Sequence, residues 1–202
     1  MSELDNMLSG KLYDPNDSQL VELRRKCHRL CIEYNQLEET NPRREEILNE
    51  LGVKRKNGVF LQGPIYFDYG CFIYFGENSY ANFNLTILDS CEVKIGNNVF
   101  IGTGVSLVTP VHPLRYQERN IFFNKEKGYL TDSEYAKPIT IEDNCWIASN
   151  VTVVGGVTIG EGSVIGAGSV VTRNIPPHSL AFGNPCKVTR TITEKDKMDY
   201  CK

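Results

Sequence analysis

Three histidines are the first candidates for proton chemistry in this chain of 202 residues. His28 falls in a charged, helix-patterned stretch, and His178 follows Pro176-Pro177. A solvated helix edge and a surface turn account for them. His112 differs, because it stands between Val111 and Pro113 at the point where a regular repeat breaks off. An imidazole with a reference pKa of about 6.5 accepts a proton from a hydroxyl at neutral pH, so His112 is either a general base or a surface histidine. Asn82 and Asn84, in YANFNL, are either amide donors for a developing oxyanion or corner asparagines of tight turns. Trp146 is either a surface packing residue or a flat wall for a carrier chain. A base, an oxyanion donor and a groove for the carrier are the parts that acyl transfer from a thioester to a hydroxyl requires.

The elements that hold these residues follow from spacing. Ile141, Ile147, Val153, Ile159, Ile165 and Val171 recur at steps of six. Four positions after these anchors come Cys145, Val151, Val157, Ser163, Ser169 and Ile175, mostly small or β-branched. Ile95, Ile101 and Leu107 keep the same step, as do Phe75, Ala81 and Ile87, with an eight-residue step resetting the phase at Ile95. A period of six fits neither a helix nor an alternating strand. It predicts a parallel β-helix in which each hexad forms one flat side and a turn, its anchor pointing inward. Glycine and asparagine at the corners supply positive φ.

Between Thr109 and Lys137 the hexad vanishes. Uninterrupted loops of more than about 12–15 residues are uncommon in compact domains and are usually functional or disordered. This one carries Tyr116, Phe122, Phe123, Tyr129 and Tyr135 and opens near His112, so it is expected to wall a binding cleft. Upstream, Leu20, Leu23, Cys27, Leu30, Cys31 and Tyr34 form a helical stripe. Asn41, Pro42 and Gly52 punctuate a second, shorter helix. The expected organisation is a helical segment over 1–56, a β-helix over 57–190 with the loop 109–137 ejected from it, and a tail over 191–202.

Composition narrows the function classes. A net charge of -3, without a basic block, points away from nucleic acid and membrane surfaces. No stretch has the apolar length of a membrane span, and the N-terminus carries no signal region. Seven irregularly spaced cysteines without a CxxC pair are expected to be reduced thiols of a cytoplasmic protein.

The segments YANFNLTILD (80–89), IGNNVFIGTGV (95–105), HPL (112–114), 138–177 and AFGNPCKVTR (181–190) resemble the galactoside and maltose O-acetyltransferases. GKLYD (10–14) and DYG (68–70) are similar to the same branch, so the resemblance spans nearly the whole chain. It implies a left-handed β-helix, a homotrimer with active sites between subunits, and direct acetyl transfer from acetyl-CoA to a sugar hydroxyl without a metal. By this resemblance His112 is the catalytic base and Asn82 lies beside the acetyl group. Asp14, Arg24, Asp68, Tyr80 and Asp89 match acceptor positions, although Ser90 follows Asp89 where the galactoside enzyme is acidic. Trp146, Ser149, Ala167, Thr172, Arg173, Lys187 and Arg190 match the coenzyme A groove, where the three basic residues would pair with phosphates. The stretch from His112 to Trp146 is about ten residues longer than in the galactoside enzyme, and an overhanging loop of that kind is expected to alter acceptor choice. Three alternatives remain. A zinc carbonic anhydrase on this fold needs three converging histidines, and only His112 lies in the repeat region. A non-catalytic scaffold or carbohydrate-binding module leaves the histidine at the loop exit unexplained. An acetyltransferase for a non-sugar acceptor has the same parts.

Overall fold

A computed structural model describes residues 2–198, so the last four residues of the expected tail lie outside the described part. Helix α1 (Glu3–Leu8) was not expected from the apolar pattern. It exists because Ser2 and Asp5 close a capping box, each side chain accepting from the other's backbone N–H. Met7 of α1 packs with Tyr13, Leu20 and Tyr69 in a small core of its own. Helix α2 (Ser18–Asn35) starts at Asp17, whose carboxylate accepts from the Gln19 N–H. It buries Leu20, Cys27, Leu30, Cys31 and Tyr34 of the expected stripe and leaves Leu23 partly covered. Helix α3 (Arg43–Leu51) follows Asn41, whose side chain accepts from the Arg43 N–H, and ends at Gly52 with φ +78°. The helical hairpin of α2 and α3 lies against the first coil of the repeat region. Tyr34 donates to the Leu61 carbonyl there, and the Asn35 amide exchanges two bonds with Ile65.

The repeat region is a three-sided parallel β-helix. One face holds strands 54–55, 73–75, 93–95, 139–141 and 158–159. A second holds 60–61, 80–81, 100–101, 146–147 and 164–165, and a third holds 65–67, 85–88, 106–108, 152–154 and 170–171. The second face is closed by 179–182 and then by the antiparallel strand 187–191, exposed at all five positions on the edge. All twelve anchors read from the sequence are buried, stacked in columns such as Ala81, Ile101, Ile147 and Ile165. Asn78, Asn84, Asn98, Asn144, Asn150 and His178 turn corners with φ between 52° and 61°. Asn84 and His178 are therefore corner and surface-turn residues.

The departures from the six-residue step share one edge of the prism, where the third face gives way to the first. Steps of eight join Phe67 to Phe75 and Ile87 to Ile95, and a step of 34 joins Leu107 to Ile141. Register is nevertheless kept, since Phe75 pairs with Ile95 and Ile95 with Ile141. The longest of these steps is the ejected loop. It begins with a short antiparallel stem, Pro110–Val111 on Tyr135–Ala136. Beyond the stem come α4 (Tyr116–Arg119) and a hairpin, Phe122–Asn124 on Tyr129–Thr131. The six described cysteines are free thiols, and no helix among the described residues is long and apolar enough to cross a membrane.

Asp89 lies in one of the eight-residue steps and is fully buried. Its two oxygens accept from the backbone N–H groups of Tyr69 and Phe72. Burial outweighs those donors and pushes its carboxyl up to about 7. The folded-state pKa is thus raised above the unfolded one. Its stabilising contribution is complete below about pH 4 and is lost as pH rises toward about 7. Raising the pH from about 5 to about 8 should therefore lower the melting temperature of the wild type more than that of Asp89→Asn. Parallel shifts in the two proteins would contradict this account.

Candidate active site

The widened edge encloses a cavity of about 530 Å³. Leu88, Ser90, Val108 and Pro110 form its prism side, Arg24 and His28 come from α2, and His112, Asp132 and Glu134 come from the ejected loop. His112 leaves the stem strand directly, which fixes its backbone on the prism while half its side chain stays exposed. Its two nitrogens face two carboxylates, with Nδ1 3.6 Å from Asp132 and Nε2 3.8 Å from Glu134. The other oxygen of Glu134 accepts from the Tyr13 hydroxyl at 2.6 Å, and the backbones of the two residues pair. Burial and the Glu134 charge push the Tyr13 phenol far above its ordinary range, so it remains a donor.

The rest of the cavity is equally polar. Arg24 donates to the Tyr69 hydroxyl at 2.7 Å and to the Pro15 carbonyl at 2.6 Å, its charge lying over the Tyr69 ring. His28 Nε2 lies 3.6 Å from Asp68, whose carboxyl is raised by burial and held back by His28 and Arg24. The combined lining is rich in hydrogen-bond acceptors and suits a ligand bearing several donors. His112, Asp132 and Glu134 each bring one ligand atom to within 4.8 Å of the others, close enough to hold a metal ion.

The predicted site residues divide into groups. Arg24, Asp68 and His112 meet in the cavity. Asp14 does not line it, because its carboxylate is turned onto Lys127, Tyr129 and Thr131 of the hairpin. Asp89 is buried beneath the cavity wall, as described above. Tyr80 lies on the second face, stacked on Phe60 at 6.2 Å and in register with Phe100 and Trp146. Asn82, Ser149 and Ala167 sit at the edge between the second and third faces, and the Asn82 amide oxygen accepts from the Phe83 N–H. One face of the prism therefore separates Asn82 and Trp146 from His112 within a chain. Thr172 and Arg173 continue the His112 edge two coils further on, both exposed. Lys187 and Arg190 lie on the exposed last strand, where Arg190 forms a two-pronged pair with Asp196 at 2.8 and 2.6 Å.

Sequence reasoning missed Asn16, His28, Asp132 and Glu134 as parts of the site. Asp132 and Glu134 had a readable signal: two acids spaced i, i+2 immediately before the re-entry strand, hence on one side of an extended segment.

Residues 6–51 match the model of the maltose acetyltransferase hexapeptide capping motif, and residues 138–173 match that of the bacterial transferase hexapeptide with six repeats. The galactoside O-acetyltransferase of Escherichia coli (strain K12) is 40% identical over 203 residues, spanning 100% of this chain and 95% of that one. The crystal structure of a maltose O-acetyltransferase from Clostridium difficile 630 superposes with a TM-score of 0.83 at 41% identity, covering 96% of this chain and 99% of the other. A galactoside acetyltransferase in complex with coenzyme A gives a TM-score of 0.87 at 39% identity, covering 100% of this chain and 96% of its own. The α2–α3 hairpin, the six-residue coils and the agreement over the full length have one explanation: this chain belongs to the galactoside and maltose O-acetyltransferase family of hexapeptide-repeat acetyltransferases.

Proposed function

We propose that this protein transfers the acetyl group of acetyl-CoA directly to a hydroxyl of a small sugar, with His112 as the general base. The observation that carries the reading is the imidazole held between two carboxylates in a cavity rich in acceptors. With substrate bound, one carboxylate closes its gap of 3.6–3.8 Å to accept the imidazole N–H, and the other nitrogen takes the proton of the acceptor hydroxyl. The hydroxyl oxygen attacks the thioester carbonyl, and the new C–O bond forms as the carbonyl oxygen gains charge. Collapse breaks the C–S bond, and the leaving thiolate recovers the proton from the imidazolium. Every proton is accounted for by His112, and the chemistry as written draws on no metal ion.

Asn82 and Trp146 enter this reading through a second copy of the chain. A homotrimer that lays the Asn82 edge of one subunit against the His112 edge of the next brings the amide to the developing oxyanion. The same groove would carry acetyl-CoA past Ser149 and Ala167 toward Thr172, Arg173, Lys187 and Arg190. Coenzyme A in the related galactoside acetyltransferase supports that part of the proposal.

Thiol release from acetyl-CoA against a panel of glucosides, galactosides, maltose and simple alcohols tests the proposal. Acceptor-dependent release is expected, strongest with sugars. Arg173→Ala should raise the KM for acetyl-CoA by about tenfold, as loss of a charge-assisted hydrogen bond does, with kcat nearly unchanged. No release with any acceptor, together with no binding of acetyl-CoA, would overturn the proposal.

A further inference from the structure

We propose that Asp14 is a positioning residue that anchors the loop hairpin, and so aligns Asp132 and Glu134 on His112, rather than a residue that contacts the acceptor. This rests on the acetyl-transfer reading above. An ionised carboxylate offers about four acceptor sites, and all four are filled here. One oxygen accepts from the Asn16 N–H at 2.9 Å and from the Thr131 hydroxyl. The other accepts from Lys127 Nζ and from the Tyr129 hydroxyl, each at 2.9 Å. Nothing is left for a sugar hydroxyl, and the cavity wall is formed by the neighbouring Pro15 and Asn16 instead.

Three of the four partners of Asp14 lie on the hairpin, two of them in the strand that runs into the site. Thr131 directly precedes Asp132, and two residues later Glu134 is gripped by Tyr13 through its side chain and backbone. Tyr13 and Asp14 therefore hold the strand on both sides of Asp132. Glu3 completes the anchor, accepting from Lys127 Nζ at 2.9 Å and from the Asp14 N–H at 3.0 Å. By the resemblance drawn from the sequence, Lys127 falls in the stretch between His112 and Trp146 that is longer than in the galactoside enzyme. The loop thus brings a cation that neutralises and occupies Asp14 at the border of the cavity.

Asp14→Asn and Lys127→Met, with Lys127→Arg as the conservative control, test this in two ways. The first is steady-state kinetics with several acceptors. Both variants should lower kcat by up to about a hundredfold, since small misplacements of catalytic groups cost that much. Acceptor KM should stay within about twofold. The double variant should be no worse than either single one, and Lys127→Arg should restore the rate. The second is limited tryptic cleavage after Lys125, read by mass, which should accelerate in Asp14→Asn and Lys127→Met and requires no turnover. An Asp14→Asn enzyme with raised acceptor KM and intact kcat, beside a wild-type-like Lys127→Met, would make Asp14 an acceptor contact. Unchanged cleavage after Lys125 would equally overturn the anchor. If the wild type transfers no acetyl group, the functional reading fails while the cleavage test still decides whether Asp14 holds the hairpin.

Discussion

His112→Ala is expected to lower acetyl transfer by about 10²–10⁴-fold, the usual cost of removing a general base. The loss should fall on kcat, because the role proposed for His112 is toward the acceptor hydroxyl, while the residues proposed for coenzyme A lie on other coils and on the last strand. Acetyl-CoA binding, followed by calorimetry, should stay close to that of the wild type. The substitution is structurally mild. His112 is half exposed, its backbone is placed by the 110–111 stem, and its removal leaves no buried cavity. Asp132 and Glu134 lose the imidazole between them, and the space it vacates admits water to both carboxylates. Near-normal turnover in this variant would remove His112 from the mechanism and direct attention to the His28–Asp68 pair across the cavity.

The largest stability effect is expected inside the prism. Ile147 is fully buried between Ile101 and Ile165 in adjacent coils. Truncation to alanine removes its apolar contacts and leaves a void. The neighbouring coils cannot settle into it, because the parallel backbone bonds that fix coil spacing run on both sides of the site. The expected loss is therefore about 2–5 kcal/mol, toward the upper end of that range. At roughly 2–4 °C per kcal/mol for a chain of this size, thermal unfolding detects it readily. Ile32→Ala on the exposed side of α2 is the control and should change little. A loss at Ile147 no larger than the control would mean that the column is more compliant than its hydrogen bonding implies.

The prism was legible because its signal is redundant. Each anchor in the series from Phe75 to Val171 repeats the same demand, and every one of them is buried. His112 was legible for the opposite reason, as the residue at which that redundancy stops. The carboxylates around it were harder to read. Asp132 and Glu134 sit among charges that look solvated until the 110–111 stem folds the loop back and brings them to the imidazole. Residue type also carries no direction. Asp14 and Asp89 are both acids near the site, yet one faces the hairpin and the other the backbone of an adjacent turn. The eight-residue step at Ile87 was visible as a phase slip. Its meaning as a widened edge needed the matching slip at Phe67 and the pairing of the strands on either side. Helix α1 escaped because six residues carry too little apolar pattern, although its Ser-x-x-Asp cap was in plain sight.

All the irregular steps lie on one edge, and the coils above and below pair as though those residues were absent. Load-carrying and recognition are therefore uncoupled in this molecule. Substitutions, insertions and deletions in the ejected loop have little purchase on the stacked columns, so the loop can drift or be exchanged while the prism keeps its melting behaviour. A lineage built this way can vary the wall of the cavity at small thermodynamic risk. An engineer can treat the edge as a socket for transplanted loops, as long as the Pro110–Val111 and Tyr135–Ala136 stem is left intact.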